Sequence, residues 1–186
     1  MTLTPSKMIS LGTRANPFTL TDTVSGNEFS LEDLSSEVAT VFMFICNHCP
    51  YVRHLNQGLV DLANEYIPKG ISFIAISAND AQTFPQDGPE KMKEHAEKME
   101  YPFPYLYDET QGVARAYGAT CTPDFFICNK NLELVYRGQF DDSRPENELP
   151  VTGDDFRAAL NSLLAGESVS PDQTYSIGCN IKWKDV

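Results

Sequence analysis

The chain has 186 residues, of which 41% are apolar, enough to build the core of one ordinary domain. Its 14 Lys and Arg stand against 26 Asp and Glu, a formal net charge of −12 that repels polyanions, and no basic block offsets it locally. Nucleic acid and anionic membrane surfaces are therefore not expected as partners. The longest apolar run, Val38 to Cys46, is about half the ~20 residues of a spanning helix. The opening segment has neither an apolar core nor a small-residue cleavage site, so no signal peptide is read and a cytoplasmic location is expected.

In chain order, Phe18 to Asp22 and Glu28 to Leu31 alternate apolar and polar residues around Ser25-Gly26-Asn27, which predicts a β-hairpin with one solvated face. Val41 to Ile45 is continuously apolar, as a strand buried on both faces should be. Val52, Leu55, Leu59, Leu62 and Tyr66 then recur at helical spacing after Pro50, up to Pro68-Lys69-Gly70. Ile71 to Ile76 repeats the buried-strand pattern, so the three elements form a βαβ unit with parallel strands.

Ala78 to Gly88 reads as a loop and Pro89 to Glu100 as a polar helix. Pro102 and Pro104 confine the aromatic segment Tyr101 to Tyr107 to a sheet edge, if it is a strand. A short helix over Gln111 to Tyr117 stops at Gly118. Asp124 to Cys128 and Leu132 to Tyr136 flank Asn129-Lys130-Asn131 as an antiparallel hairpin. Phe156, Leu160, Leu163 and Leu164 give a last helix, capped by Thr152 or Asp154 and ending at Gly166. The segment from Ser168 has no period and is read as a surface-wrapping tail. The pattern is that of an α/β domain with a mixed sheet.

Five cysteines are an odd number, which argues against a disulfide framework. Cys46 and Cys49 bracket Asn47-His48 where the buried strand hands over to the amphipathic helix. Unpaired N–H groups at a helix start favour a thiolate, and two thiols at this spacing can close a disulfide, the second displacing a substrate from the first. An imidazole at His48 should lower the Cys46 pKa further. Other readings stay open: half of a zinc site, for which no second CxxC or HxxxH follows, or a His48 that is only an exposed first-turn residue.

Asn16-Pro-Phe-Thr-Leu-Thr-Asp22 with Gly26 and Ser30-Leu31, Cys46-Asn-His-Cys-Pro50, and Tyr117-Gly-Ala-Thr-Cys-Thr-Pro-Asp-Phe-Phe126 together resemble one known group. It is the thioredoxin-like superfamily, in its alkyl hydroperoxide reductase and thiol-specific antioxidant branch, and the resemblance runs from about residue 15 to 165. It implies a thioredoxin-like fold, with a central mixed β-sheet flanked by helices, an N-terminal hairpin and a C-terminal tail. It also implies that Pro123 is a cis-proline lying against the CxxC and that Thr122 docks substrate backbone.

The chain departs from thioredoxins by Ile45 in place of the Trp before the first Cys, and by Thr40 in place of a buried Asp, so a proton acceptor for Cys49 must come from elsewhere. The Asn-His dipeptide is similar to the Gly-His and Pro-His of disulfide isomerases and oxidases, which implies a more oxidising couple. Aligned on Cys49, the peroxiredoxin pattern Pro-x-x-x-Thr-x-x-Cys fails at Phe42 and Cys46. Arg115 and Arg137 are weighed as peroxide-site arginines against plain surface charge. Cys121 is a candidate additional redox thiol or a small buried strand-end residue, Cys128 is read as core, and Cys179, in a tail that is not placed, is weighed as a resolving thiol.

The expectation is a thiol–disulfide oxidoreductase with Cys46 as nucleophile at the exposed end of the helix start. Cys49 is the shielded resolving thiol, His48 the tuner, and Thr122 and Pro123 the substrate groove. The alternatives are a thiol peroxidase using Cys49, and a copper or zinc carrier using Cys46, Cys49 and His48. No cofactor beyond a redox-active Cys46–Cys49 disulfide and no bound metal are expected. Partners would be disulfide-containing proteins or small thiols with a reductase system. The expected organisation is an extension over 1–14, the thioredoxin-like domain over 15–166, and a tail packed on it over 167–186.

Overall fold

The structure, a computed structural model, describes residues 3–184. Its frame is a seven-stranded mixed sheet in the order β3-β2-β6-β5-β4-β8-β9. The strands are β2 (Thr19–Asp22), β3 (Glu28–Ser30), β4 (Ala39–Phe44), β5 (Ile71–Ser77), β6 (Tyr105–Tyr107), β8 (Asp124–Asn129) and β9 (Leu134–Gly138). β4 runs parallel to β5 and β5 parallel to β6, whereas β4 pairs antiparallel with β8.

The continuous apolar run of β4 is explained by helices on both faces. Val41 and Met43 cluster with buried residues of α2 (Pro50–Tyr66), α3 (Pro89–Lys98) and α5 (Asp154–Leu164). Phe42 and Phe44, one step out of phase, cluster with Leu31 of α1 (Leu31–Leu34), Ala114 of α4 (Gly112–Ala116), Phe18 and Tyr117. Every β4 side chain is buried, and each large one stabilises the fold by about 1.5–3 kcal/mol. The sheet, the N-terminal hairpin and the flanking helices follow the sequence expectation. No helix among the described residues is long and apolar enough to cross a membrane.

Four local readings are corrected. β6 is an internal strand between β2 and β5, not an edge. Both prolines precede it, and Pro104 takes part in pairing only through its carbonyl, which accepts the Ala75 N–H. Helix α1, a single turn after the hairpin, was not expected, although Ser30 and Asp33 form a reciprocal capping box. Helix α5 is capped by neither Thr152 nor Asp154. Gly153 stands at its N-cap with φ +68°, and a Cβ there would lie 2.7 Å from Phe140 Cζ. The Thr152 and Gly153 N–H groups are satisfied by Asp141 Oδ2 instead, each at 2.7 Å.

The fourth correction concerns the tail. Residues Ile177–Asn180 form β10, the middle strand of a second sheet between β1 (Leu3–Pro5) and β7 (Cys121–Thr122). The two ends of the chain thus meet beside the start of β8. A four-residue strand carries too little periodicity to stand out, and nothing local announces a partner over a hundred residues away.

Candidate active site

Three chain segments converge at one end of the main sheet for topological reasons. Parallel β4 and β5 end on the same side, so the segment after β4 (Ile45 to Cys49) lies beside the loop after β5 (Ala78 to Gly88). Antiparallel β8 begins where β4 ends, with Asp124 opposite Phe44, so Thr122 and Pro123 arrive at the same place. Cys49 is the N-cap of α2 and Pro50 its first residue, where a missing N–H costs nothing.

The sulfurs meet the Thr122–Pro123 turn directly. That peptide bond is cis. Cys46 Sγ lies 3.4 Å from Thr122 Oγ1, and Cys49 Sγ lies 3.1 Å from the Thr122 carbonyl oxygen, which accepts its S–H when Cys49 is protonated. His48 Nδ1 is 4.0 Å from Cys46 Sγ and 2.5 Å from Asp87 Oδ2. Asp87 is buried and also accepts the N–H groups of Asn47 (2.9 Å) and His48 (3.2 Å) and the side-chain N–H of Asn79 (2.8 Å). The His48 ring stacks on Phe84, centroids 5.5 Å apart and planes within 6°. Asn47 is fixed by Gln86 O, Tyr105 OH and Arg53 Nε.

The expectation of an exposed Cys46 is not met: it is 1% exposed and Cys49 0%. The cover is β10. Cys179 pairs with Thr122 across the β10–β7 ladder, so the backbone edge that the resemblance assigns to a substrate carries the chain's own strand. Cys179 Sγ lies 2.9 Å from Cys49 Sγ.

The distribution of charge also differs from the expected one. The Cys46 S–H donates to Cys49 and, against burial, the Cys179 S–H and the Val52 N–H add to it, holding the Cys49 thiol down at about 5. Giving its proton to Cys49, together with burial and the charge of Asp87, pushes Cys46 well above the usual thiol range. The two sulfurs titrate as a pair, with Cys49 held low and Cys46 raised. The Asp87 carboxylate, which faces the imidazole, was not part of the sequence expectation for Cys46 and His48.

The other singled-out residues lie as follows. Cys121 Sγ approaches the Pro123 carbonyl at 3.5 Å, and burial raises its thiol, which suits the buried strand-end reading. Cys128 is core, pushed up to about 12 by burial. Arg137 bonds the Ile9 carbonyl and Gln173, and Arg115 lies over the Trp183 ring, so both guanidinium groups are engaged elsewhere. Thr40 accepts the Ser36 N–H. For a metal, Cys46 Sγ, His48 Nδ1 and an Asp87 oxygen lie within 4.8 Å of one another, a donor set that suits zinc, while Cys49 turns to Cys179.

Asp87 is the residue sequence reasoning missed, and Cys179, weighed as a resolving thiol but not placed, lies against Cys49. The signal for Asp87 was topological, since a loop following β5 must border the end of β4. Asp80 in the same loop is spent on Thr83 and the Gln82 N–H.

A family model described as AhpC/TSA family matches residues 11–137. The structure is similar to that of an uncharacterised conserved protein from Geobacillus kaustophilus, 58% identical with a TM-score of 0.99, covering 100% of this chain and 98% of that one. A hypothetical protein from Sinorhizobium meliloti is 46% identical with a TM-score of 0.96, covering 98% and 100%. A putative thiol:disulfide interchange protein DsbE from Chlorobium tepidum, 18% identical, shares the fold with a TM-score of 0.66 over 84% and 99%. Comparison with curated proteins gives no match.

Proposed function

Since the chain belongs to the AhpC/TSA family, a thioredoxin-like branch with thiol-based redox function, we propose that it is a thiol–disulfide oxidoreductase working through Cys46 and Cys49. The observation that carries this reading is the placement of both sulfurs at the start of α2 against the cis Thr122–Pro123 turn, Cys46 Sγ 3.4 Å from Thr122 Oγ1 and Cys49 Sγ 3.1 Å from the Thr122 carbonyl oxygen. With Cys49 held low beside it, Cys46 has a base to take its proton as it attacks, and Cys49 is then in place to resolve.

Cys46 is the attacking sulfur in this reading. It is flanked by the partly exposed His48, whereas Cys49 faces Thr122 O and Cys179 inside. As Cys46 attacks a substrate disulfide, its proton passes to Cys49 and one substrate sulfur leaves as a thiolate. Cys49 then attacks Cys46 in the mixed disulfide, the Cys46–Cys49 disulfide forms, and the second substrate sulfur departs with the proton. The substrates are disulfide-bearing proteins or small disulfides, a reductase system of a reducing compartment returns the pair to dithiol, and no organic cofactor enters. Asn47, locked by Gln86, Tyr105, Arg53 and Asp87, holds the turn in shape throughout.

The test uses Cys49→Ser and Cys46→Ser with a protein disulfide. The first should accumulate a stable mixed disulfide through Cys46, and the second should neither reduce nor retain the substrate. Retention by the Cys46→Ser protein alone would reverse the assignment.

A second reading is supported by one specific observation. The lowered Cys49 thiol at a helix N-cap is the kind of sulfur that peroxide oxidises to sulfenic acid, which favours a thiol peroxidase using Cys49. Against it stand the engaged Arg115 and Arg137 and the full enclosure of Cys49.

A further inference from the structure

The geometry points to Cys179 as a third redox thiol, which takes over the disulfide from Cys46 and leaves it as a Cys49–Cys179 bridge. The inference rests on the exchange reading of Cys46 and Cys49, which supplies the first disulfide.

The placement of Cys179 is built rather than incidental. Its sulfur is 2.9 Å from Cys49 Sγ, and a sulfur that close to a disulfide sulfur is in reach for attack. Three features hold it there. The β10–β7 register sets Cys179 opposite Thr122, the residue that meets both other sulfurs. Ser176 donates its hydroxyl to the Pro123 carbonyl at 2.7 Å, tying β10 to the same turn. On its other edge β10 pairs with β1, Leu3 opposite Cys179. Gly178 makes the approach possible: a Cβ there would stand 2.0 Å from the Thr122 carbonyl oxygen and 3.0 Å from Pro123 Cδ.

The step balances without an external oxidant. The Cys179 thiol, losing its proton, attacks Cys49 in the Cys46–Cys49 disulfide. The new bond joins Cys179 to Cys49, the old bond breaks, and Cys46 leaves with the electron pair and takes up the proton. The disulfide count is unchanged, and Cys46 is again a thiol.

Oxidation itself prepares this transfer. In the dithiol state burial raises the Cys179 thiol to about 12, and its hydrogen bond to Cys49 and the Cys49 charge add to the effect. Once Cys49 is in a disulfide, its hydrogen bond and charge no longer raise the Cys179 thiol, while burial, the largest cause, still does. Cys121 has no such partner sulfur, its Sγ lying at the Pro123 carbonyl.

The test is disulfide mapping of the full chain after one equivalent of diamide, a two-electron thiol oxidant, with acid quenching and alkylation. A Cys49–Cys179 linked peptide with Cys46 alkylated is expected. Cys46 in the oxidised protein should react with N-ethylmaleimide about tenfold faster, or more, than in oxidised Cys179→Ser, where the Cys46–Cys49 bridge persists. A Cys46–Cys49 bridge with Cys179 recovered as a free thiol would overturn the relay and leave the exchange reading standing. No bridge among the three cysteines would overturn both. The mapping uses the unaltered chain, so its outcome does not depend on whether the Cys179→Ser variant folds.

Discussion

His48 Nδ1 lies 2.5 Å from one oxygen of Asp87, while the other oxygen accepts the backbone N–H groups of Asn47 and His48. The carboxylate therefore fixes the Cys46–Cys49 turn and the imidazole together. It also places a negative charge near Cys46, which, after the hydrogen bond to Cys49 and burial, raises that thiol.

Replacing His48 by Ala should leave the Asp87 charge unopposed beside Cys46. The thiolate pair loses stability, so the couple should move to a more negative potential by about 30 mV, a factor of ten in the exchange equilibrium. Asp87→Asn in the His48→Ala background should move it back, and additive effects of the two changes would show that they act independently. Equilibration with glutathione buffers reads the potential.

The absolute position of the couple follows from the same electrostatics. A thiolate held by the Cys46 S–H, the Cys179 S–H and the Val52 N–H favours the reduced form, which makes the disulfide a stronger oxidant. Measured in Cys179→Ser, so that only Cys46 and Cys49 exchange, the potential should lie above the ~−270 mV of thioredoxin. A value at or below it would mean that these hydrogen bonds do not set the couple.

Gly178→Ala should push β10 off β7, because its Cβ would overlap the Thr122 carbonyl. The expected loss of stability in urea is about 1–3 kcal/mol, the usual cost of overpacking. Cys49, enclosed in the parent, should then alkylate faster in the folded variant. Unchanged stability and unchanged alkylation would show that β10 does not cover the sulfurs in solution.

Asp124 gives a stability prediction. It is buried next to Pro123, one carboxyl oxygen finds no partner among the described residues, and burial raises its pKa to about 7. Because the folded value lies above the unfolded one of ~3.9, the unfolded chain releases the proton first and stability falls as pH rises from about 4 through 7. Asp124→Asn should therefore gain in melting temperature relative to the parent as pH goes from 5 to 8. A difference independent of pH would place the carboxyl in a wetter setting than the structure does.

Much of this molecule was legible in its residues, and the reasons for the rest are physical. The β4-α2-β5 unit announced itself because a doubly buried strand and an amphipathic helix have distinct periods, and the Cys46–Cys49 turn lies at their junction. The Thr122-Pro123 turn was found through its resemblance to a known pattern, not through any local signal. Asp87 was hidden because a loop carboxylate looks the same in sequence whether it is solvated or clasped by an imidazole. Cys179 was hidden because its meaning depends on β10 crossing to β7, a pairing with no local trace.

The most direct test of the exchange account is a single-turnover comparison of reduced wild-type protein with a protein disulfide and with hydrogen peroxide, repeated with Cys46→Ser. The account predicts fast formation of the mixed disulfide through Cys46, only slow reaction with peroxide, and loss of disulfide reactivity in Cys46→Ser. Fast formation of sulfenic acid at Cys49 in Cys46→Ser, with the protein disulfide unreactive toward the parent, would contradict it and establish Cys49 as a peroxidase thiol.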